Sequence, residues 1–386
     1  MTSTPNAPRI ASLLPSATDI LIKLNLAKNI IGITHECDGY EQYFKTTSSN
    51  PEQFYCVNNC SNTTIATSNT TTTTSTEESD DTRGEAYILT SSHINPSNTS
   101  QSDINEQVKN SSLNGMSIYD VNVTDFQRCK PTLIITQTLC DVCAVSMNEV
   151  KESCNLTDND DDIKLLSLTP KKIIDVGNTF KEIANVCNVG ERGDKMYNDF
   201  FKDFDMLNET IKRCLKENYN DSSVIVQQPK VLMIEWMDPP YTAGHWVPEM
   251  INYANCVDAI TFLPNYDPSS TKSNRVSWDE LHALDPDVII IACCGFDTVR
   301  NEQDAINAKK YLSKFDRAYN NNRIYATDGN KYFTRPGPYL LSGAAIIARC
   351  AYDNMPSIAQ CIEDLGNDMM PKDNKDHIVW KKVIFD

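Results

Sequence analysis

The stretch Arg9–Thr34, RIASLLPSATDILIKLNLAKNIIGIT, decides the fold. An apolar run, RIASLL, leads through Pro15 to Ser16-Ala17-Thr18-Asp19, a capping-box signature. It opens a helix with Ala17, Ile20, Leu21 and Leu24 on one face. A second apolar run, NIIGIT, follows. Strand, helix, strand in so short a span is a βαβ unit, and strands joined this way run parallel.

Outward from that unit the plan recurs. KVLMIEWM (230–237) is a strand running into a turn rich in chemistry, and VPEMINYANCVDAI supplies the next helix and apolar run. DFQRCKPTLIITQTLCD (125–141) and WDELHALDPDVIIIACCGFD (278–297) both read helix, Pro, apolar strand, then Cys and Asp. In the second, Ser277 and Glu280 form a capping box and Pro286 stops the helix. This echo predicts an α/β protein of two lobes of similar build with parallel sheets. Met196, Phe200, Phe204, Leu207, Ile211 and Leu215 recur at the spacing of one helix face, which predicts a long helix from Asp194 to Glu217 joining the lobes.

The expected organisation is a disordered tail at 1–8, an N-terminal lobe at 9–168, a linking helical segment at 169–218 and a C-terminal lobe at 219–386. Within the first lobe, residues 45–83 run through SNTTIATSNTTTTTSTEESDD and contain almost nothing to bury. A disordered insertion is expected there.

A formal charge of −17 over 386 residues argues against a nucleic-acid partner, because phosphate binding needs a basic face. The first residues, MTSTPNAPRI, lack a basic and apolar leader, and no run approaches the ~20 apolar residues of a membrane span. A cytoplasmic monomer without membrane insertion is expected. The 14 cysteines fall short of a disulfide scaffold, and the adjacent Cys293-Cys294 suits reduced thiols.

Ligands of open parallel sheets sit outside the carboxyl ends of the strands. That rule gathers Leu14-Pro15-Ser16, His35-Glu36-Cys37-Asp38 and Cys140-Asp141-Val142-Cys143 in the first lobe. In the second it gathers Glu235-Trp236-Met237-Asp238, Gly244-His245-Trp246 and Cys294-Gly295-Phe296-Asp297. Trp236, Trp246 and Tyr241 with Pro239-Pro240 make a flat apolar wall suited to a large planar ligand, and core filling is the competing reading of each tryptophan. His245 is either an axial metal ligand or a hydrogen-bond donor. Cys140-x-x-Cys143 is a half-site for metal, with buried structural thiols favoured over ligation. Arg335 reaches either an anionic ligand or a surface carboxylate. Motifs for nucleophilic serine, phosphate loop, dinucleotide and zinc-protease chemistry are missing from the sequence.

The blocks RIASLLPSATDIL, GITHECD, SIYDVN, PTLIITQTLCDVCAVS, VLMIEWMDPPYTAGHWVPEMI, SWDELHALDPDVIIIACCGFD and TDGNKYFTRPGPYLL resemble a known family. It is the cobalamin/iron-siderophore family of ABC-transporter substrate-binding proteins, in the helical-backbone class and its cobalamin-binding-like branch. The resemblance implies two Rossmann-like lobes joined by one long helix, with the ligand clamped in a cleft between them. It implies binding of a cobalamin-like corrinoid or an iron chelate for delivery to a membrane permease, with no reaction catalysed. The residues it carries to the cleft are Pro15, Ser16, His35, Glu36, Cys37, Asp38, Cys140, Asp141, Trp236, His245, Trp246, Phe296 and Arg335. The rival expectation is a metal-dependent enzyme, or an intracellular metal-handling protein. Its metal would sit on His35, Cys37, Cys140 or His245, with Glu36 or Glu235 as acid/base.

Overall fold

The structure, a computed structural model, describes residues 7–40, 43, 56–57, 86–96, 99–114, 116–137, 145–154, 162–218, 227–366, 369–374 and 377–385. The fold is mixed α/β and two-lobed, as the sequence predicts. One compact unit is Met1–His93 with Ser117–Leu168; the other is Ile94–Met116 with Thr169–Asp386.

In the first unit β1 (Ile10–Ser12), β2 (Ile30–Ile33), β3 (Cys56–Val57) and β4 (Ala86–Ile88) are followed by a hairpin of β5 (Thr90–Ser92) and β6 (Tyr119–Val121). β7 (Leu133–Gln137) and β8 (Lys164–Leu168) complete the unit. The main sheet runs β3-β4-β2-β1-β7-β8, all parallel, with β1 paired to β2 and β7. β7 is buried throughout, which explains its unbroken apolar run: a central parallel strand is covered on both faces.

Two local expectations are corrected. The first helix is Pro15–Lys23, so Ser16 lies inside it rather than at its cap, and no side chain caps its start. Pro15 explains the earlier start, because its fixed φ and missing N–H suit the first helical position. Cys56–Val57, within the expected disordered insertion, forms the edge strand β3, pairing with Ala86 and Tyr87. The rest of 45–83 lies outside the described residues.

The second unit contains β9 (Lys230–Met237), β10 (Pro240–Thr242), β11 (Val257–Asp258), β12 (Asn274–Arg275), β13 (Val288–Ile291), β14 (Ile324–Thr327) and β15 (Trp380–Lys382). Their order is β12-β10-β9-β13-β14-β15, with β11 also on β9. The centre, β9-β13-β14, is parallel; β10, β12 and β15 add antiparallel edges. The turn-rich stretch after KVLMI is therefore a hairpin, with Tyr241 opposite Trp236.

The long helix is Gly190–Asn218; of the predicted stripe Phe200, Phe204, Leu207 and Ile211 are buried, Met196 and Leu215 are half-buried, and Cys214 is buried beside them. It packs within the second unit against the helices Ile173–Val186 and Pro356–Glu363. A disulfide joins Cys214 to Cys361, while the adjacent Cys293 and Cys294 are reduced thiols, as expected of that pair. The helix Gln101–Leu113 lies in the range expected for the N-terminal lobe, yet it groups with the second unit. Gln101 fixes it there: its Oε1 accepts from Met237 N–H at 2.7 Å, and its Nε2 donates to Asp304 at 2.8 Å. Arg300 reinforces the hold by donating to the carbonyls of Pro96 and Thr99.

Candidate functional site

At the carboxyl edge of the first sheet, β1 delivers Leu13 and Pro15, β2 delivers Thr34, His35 and Glu36, and the hairpin adds Thr90 and Tyr119. With Val145 these residues line one depression. Its empty space, counted to the open mouth, is about 210 Å³. That space includes open solvent, so the depression is a shallow surface feature rather than a complete small-molecule pocket.

Thr90 fixes the His35 ring: its buried Oγ1 lies 3.0 Å from Nδ1 and accepts from the His35 backbone N–H at 3.4 Å. Nε2 is 4.0 Å from Glu36 Oε1. Tyr119 faces the imidazole with ring centroids 6.0 Å apart. Thr34 Oγ1 accepts from the Glu36 N–H at 3.1 Å and so shapes the turn that presents both side chains. The structure thus brings Pro15, His35 and Glu36 together.

The remaining first-unit candidates go elsewhere. Cys37 turns inward, within 3.1 Å of Thr18 Oγ1 and 3.4 Å of Thr34 Oγ1, and burial pushes its thiol up to about 11. A thiol so held stays protonated at neutral pH. Ser16 is buried inside its helix. Asp38 is exposed, and its carboxylate accepts from the N–H of Gly39. Cys140 and Asp141, with Cys143, lie outside the described residues.

In the second unit the two tryptophans part company. Trp236 packs on Phe296, ring centroids 5.3 Å apart, and donates its indole N–H to Asp238 O. The Arg300 guanidinium covers Phe296 at 4.5 Å. Trp246 is buried and donates to Phe333 O at 2.7 Å. The expectation of one flat wall is corrected: Trp246 is core, and Trp236, only partly buried, is the indole left at the strand end. Phe296 is 4% exposed and supports Trp236 from behind. Arg335 is 5% exposed, placed by the turn Asn330–Thr334 after β14.

His245 adopts φ 54° and donates its backbone N–H to Thr271 O at 2.5 Å. A side chain in this left-handed region costs free energy, which makes the position a candidate for function. Its Nδ1 is buried without a hydrogen-bond partner among the described residues. Burial, then the charge of Lys171, lowers its pKa, favouring the neutral ring.

Thr90 and Tyr119 escaped the sequence reading. Tyr119 lies inside the quoted block SIYDVN, but only the hairpin pairing of Thr90 with Val121 and Ser92 with Tyr119 places both residues at the edge.

The fold is one shared with solved substrate-binding proteins of ABC transporters. Among the solved structures matched is a Staphylococcus epidermidis periplasmic solute-binding protein, provisionally described as iron-binding. It has a TM-score of 0.54 and 16% identity, covering 90% of this chain and 99% of that one. A periplasmic heme-binding protein of Pseudomonas aeruginosa matches at TM-score 0.54 and 12% identity, over 90% and 93%. An ABC transporter substrate-binding protein of Listeria monocytogenes matches at TM-score 0.54 and 13% identity, over 90% and 100%. No protein-family model matches the chain, and no curated protein does. These structures agree with the resemblance read from the sequence and, at such identities, establish the fold.

The expected cytoplasmic location is overturned. The matched structures include periplasmic proteins, and the Cys214–Cys361 disulfide is a bond that persists in oxidising compartments. Among the described residues no helix is long and apolar enough to cross a membrane.

Proposed function

We propose that the chain binds a small metal-bearing ligand, a cobalamin-like corrinoid or an iron chelate, without catalysing a reaction, and passes it to a membrane permease. The depression at the carboxyl edge of the first sheet, with His35 and Glu36 held at its mouth, carries this reading. Within the second unit, Trp236 packed on Phe296 and the left-handed His245 stand at the strand ends. Aromatic and imidazole groups over a planar ligand give area at little cost in side-chain entropy. The fold supports the reading, since its matched structures include proteins described as heme-binding and as ABC transporter substrate-binding.

Among the described residues no three His, Cys, Asp or Glu side chains form a group able to hold a metal ion.

The test is thermal unfolding of the purified chain with cyanocobalamin, hemin or a ferric siderophore. A ligand at 100 times its Kd stabilises by about 2.7 kcal/mol, so the true ligand raises the melting temperature and His35→Ala diminishes the rise. A melting temperature unmoved by all three defeats the proposal.

A further inference from the structure

The Thr90 hydroxyl decides which nitrogen of His35 faces a ligand as a donor, and the consequence deepens the function proposed above, on which it rests. Thr90 Oγ1 already accepts from the His35 backbone N–H, and it is in contact with Nδ1. A hydroxyl has one proton to give, and among the described residues Nδ1 is its remaining hydrogen-bond partner. The tautomer that uses this buried proton is the one in which a neutral ring accepts at Nδ1 and holds its own proton on Nε2. A protonated ring holds a proton on both nitrogens. In either state Nε2–H is a donor and offers no lone pair to a metal ion.

Beside that donor, 4.0 Å away, is a carboxylate oxygen of Glu36. A carboxylate has about four lone-pair sites, so it accepts a further donor whatever else it holds. Donor next to acceptor is the complement of a primary carboxamide: the amide oxygen accepts from Nε2–H while the amide N–H donates to Glu36. A ligand carboxylate satisfies only the first bond and meets the Glu36 charge at short range, where like charges repel. We propose that the His35–Glu36 pair selects ligands edged with primary carboxamides, as a corrinoid is, over ligands edged with carboxylates, as heme is with its propionates. Thr90 is the positioning residue of this pair.

The experiment compares equilibrium binding of cyanocobalamin with that of its monocarboxylic acid derivatives to the full chain, as wild type, Glu36→Gln, Thr90→Val and Thr90→Ser. Wild type should favour the amide about tenfold. Glu36→Gln should bring the ratio close to one, because an amide side chain accepts and donates alike. In the free wild-type chain, ¹⁵N NMR of the His35 ring should place the neutral-state proton on Nε2. Thr90→Val should shift that balance and Thr90→Ser should restore it. A neutral-state proton on Nδ1 in wild type, or a preference that survives Glu36→Gln, overturns the inference. Equal binding of amide and acid overturns it while leaving the function proposed above standing; failure of every corrinoid to bind removes both.

Discussion

A methyl group on Gly329 would come 2.3 Å from the carbonyl oxygen of Cys293, and backbone on both sides leaves nothing to give way. Gly329 also donates its N–H to Phe296 O, tying the loop under Trp236 to the end of β14. Gly329→Ala should therefore destabilise the chain by roughly 1–3 kcal/mol, read as a lower denaturant midpoint. It should also change the fluorescence of Trp236, since its platform moves. Asp258 offers a second single-residue test. Burial raises its carboxyl to about 7, although its hydrogen bond from Ile260 N–H opposes the rise. The folded chain thus keeps a proton that the unfolded chain loses near pH 4. The contribution of Asp258 to stability is greatest below that value, declines as pH rises to 7, and is level above. Asp258→Asn keeps the acceptor and removes the decline. It should match wild type at pH 4 and exceed it by roughly 1–3 kcal/mol at pH 8 in urea unfolding. At this scale the sequence located the His35–Asp38 turn but not the direction of each side chain. Cys37 points inward because Thr18 and Thr34 receive its thiol, a match made only once the helix is folded onto the strand.

Elements were legible where one face had one period. The buried run VIII of β13 and the stripe from Phe200 to Ile211 were both readable as strand and helix. What such patterns omit is the surface on which a face comes to rest. The helix Gln101–Leu113 buries Gln101 and Ile104, too few positions to name a partner, and its anchors on β9 and at Asp304 are far along the chain. Likewise the stretch after KVLMI reads as a loop because its prolines mask the short strand β10. Gln101→Leu tests the anchor: it leaves the Met237 N–H without its acceptor and Asp304 without one donor. A buried donor so deprived costs about 1–3 kcal/mol. Amide exchange of Met237 should speed up markedly in this variant while β7 in the first unit stays protected. Equal protection of Met237 in both chains would contradict the anchoring role.

For the whole molecule, the disulfide between Cys214 and Cys361 closes a loop across 147 residues. Constraining the unfolded chain over such a distance is worth roughly 2–4 kcal/mol, so a reductant should lower the denaturant midpoint, and Cys361→Ser should leave no further response to reductant. An unchanged midpoint would show that the bond adds no stability. The spacing of the cysteines gave no hint of this pair, because two positions so far apart become neighbours only when the helices Gly190–Asn218 and Pro356–Glu363 pack.

The chain passes from one unit to the other after His93, returns after Met116 and leaves again after Leu168. Neither unit is thus a single continuous piece of polypeptide, and the order of synthesis sets the order in which surfaces find cover. Gln101 emerges 203 residues before Asp304, so a nascent chain carries the Ile104 face bare while most of the second sheet is still unmade. Docking of that helix is necessarily a late event, and until it happens the growing protein exposes a surface that invites a chaperone or a neighbouring chain.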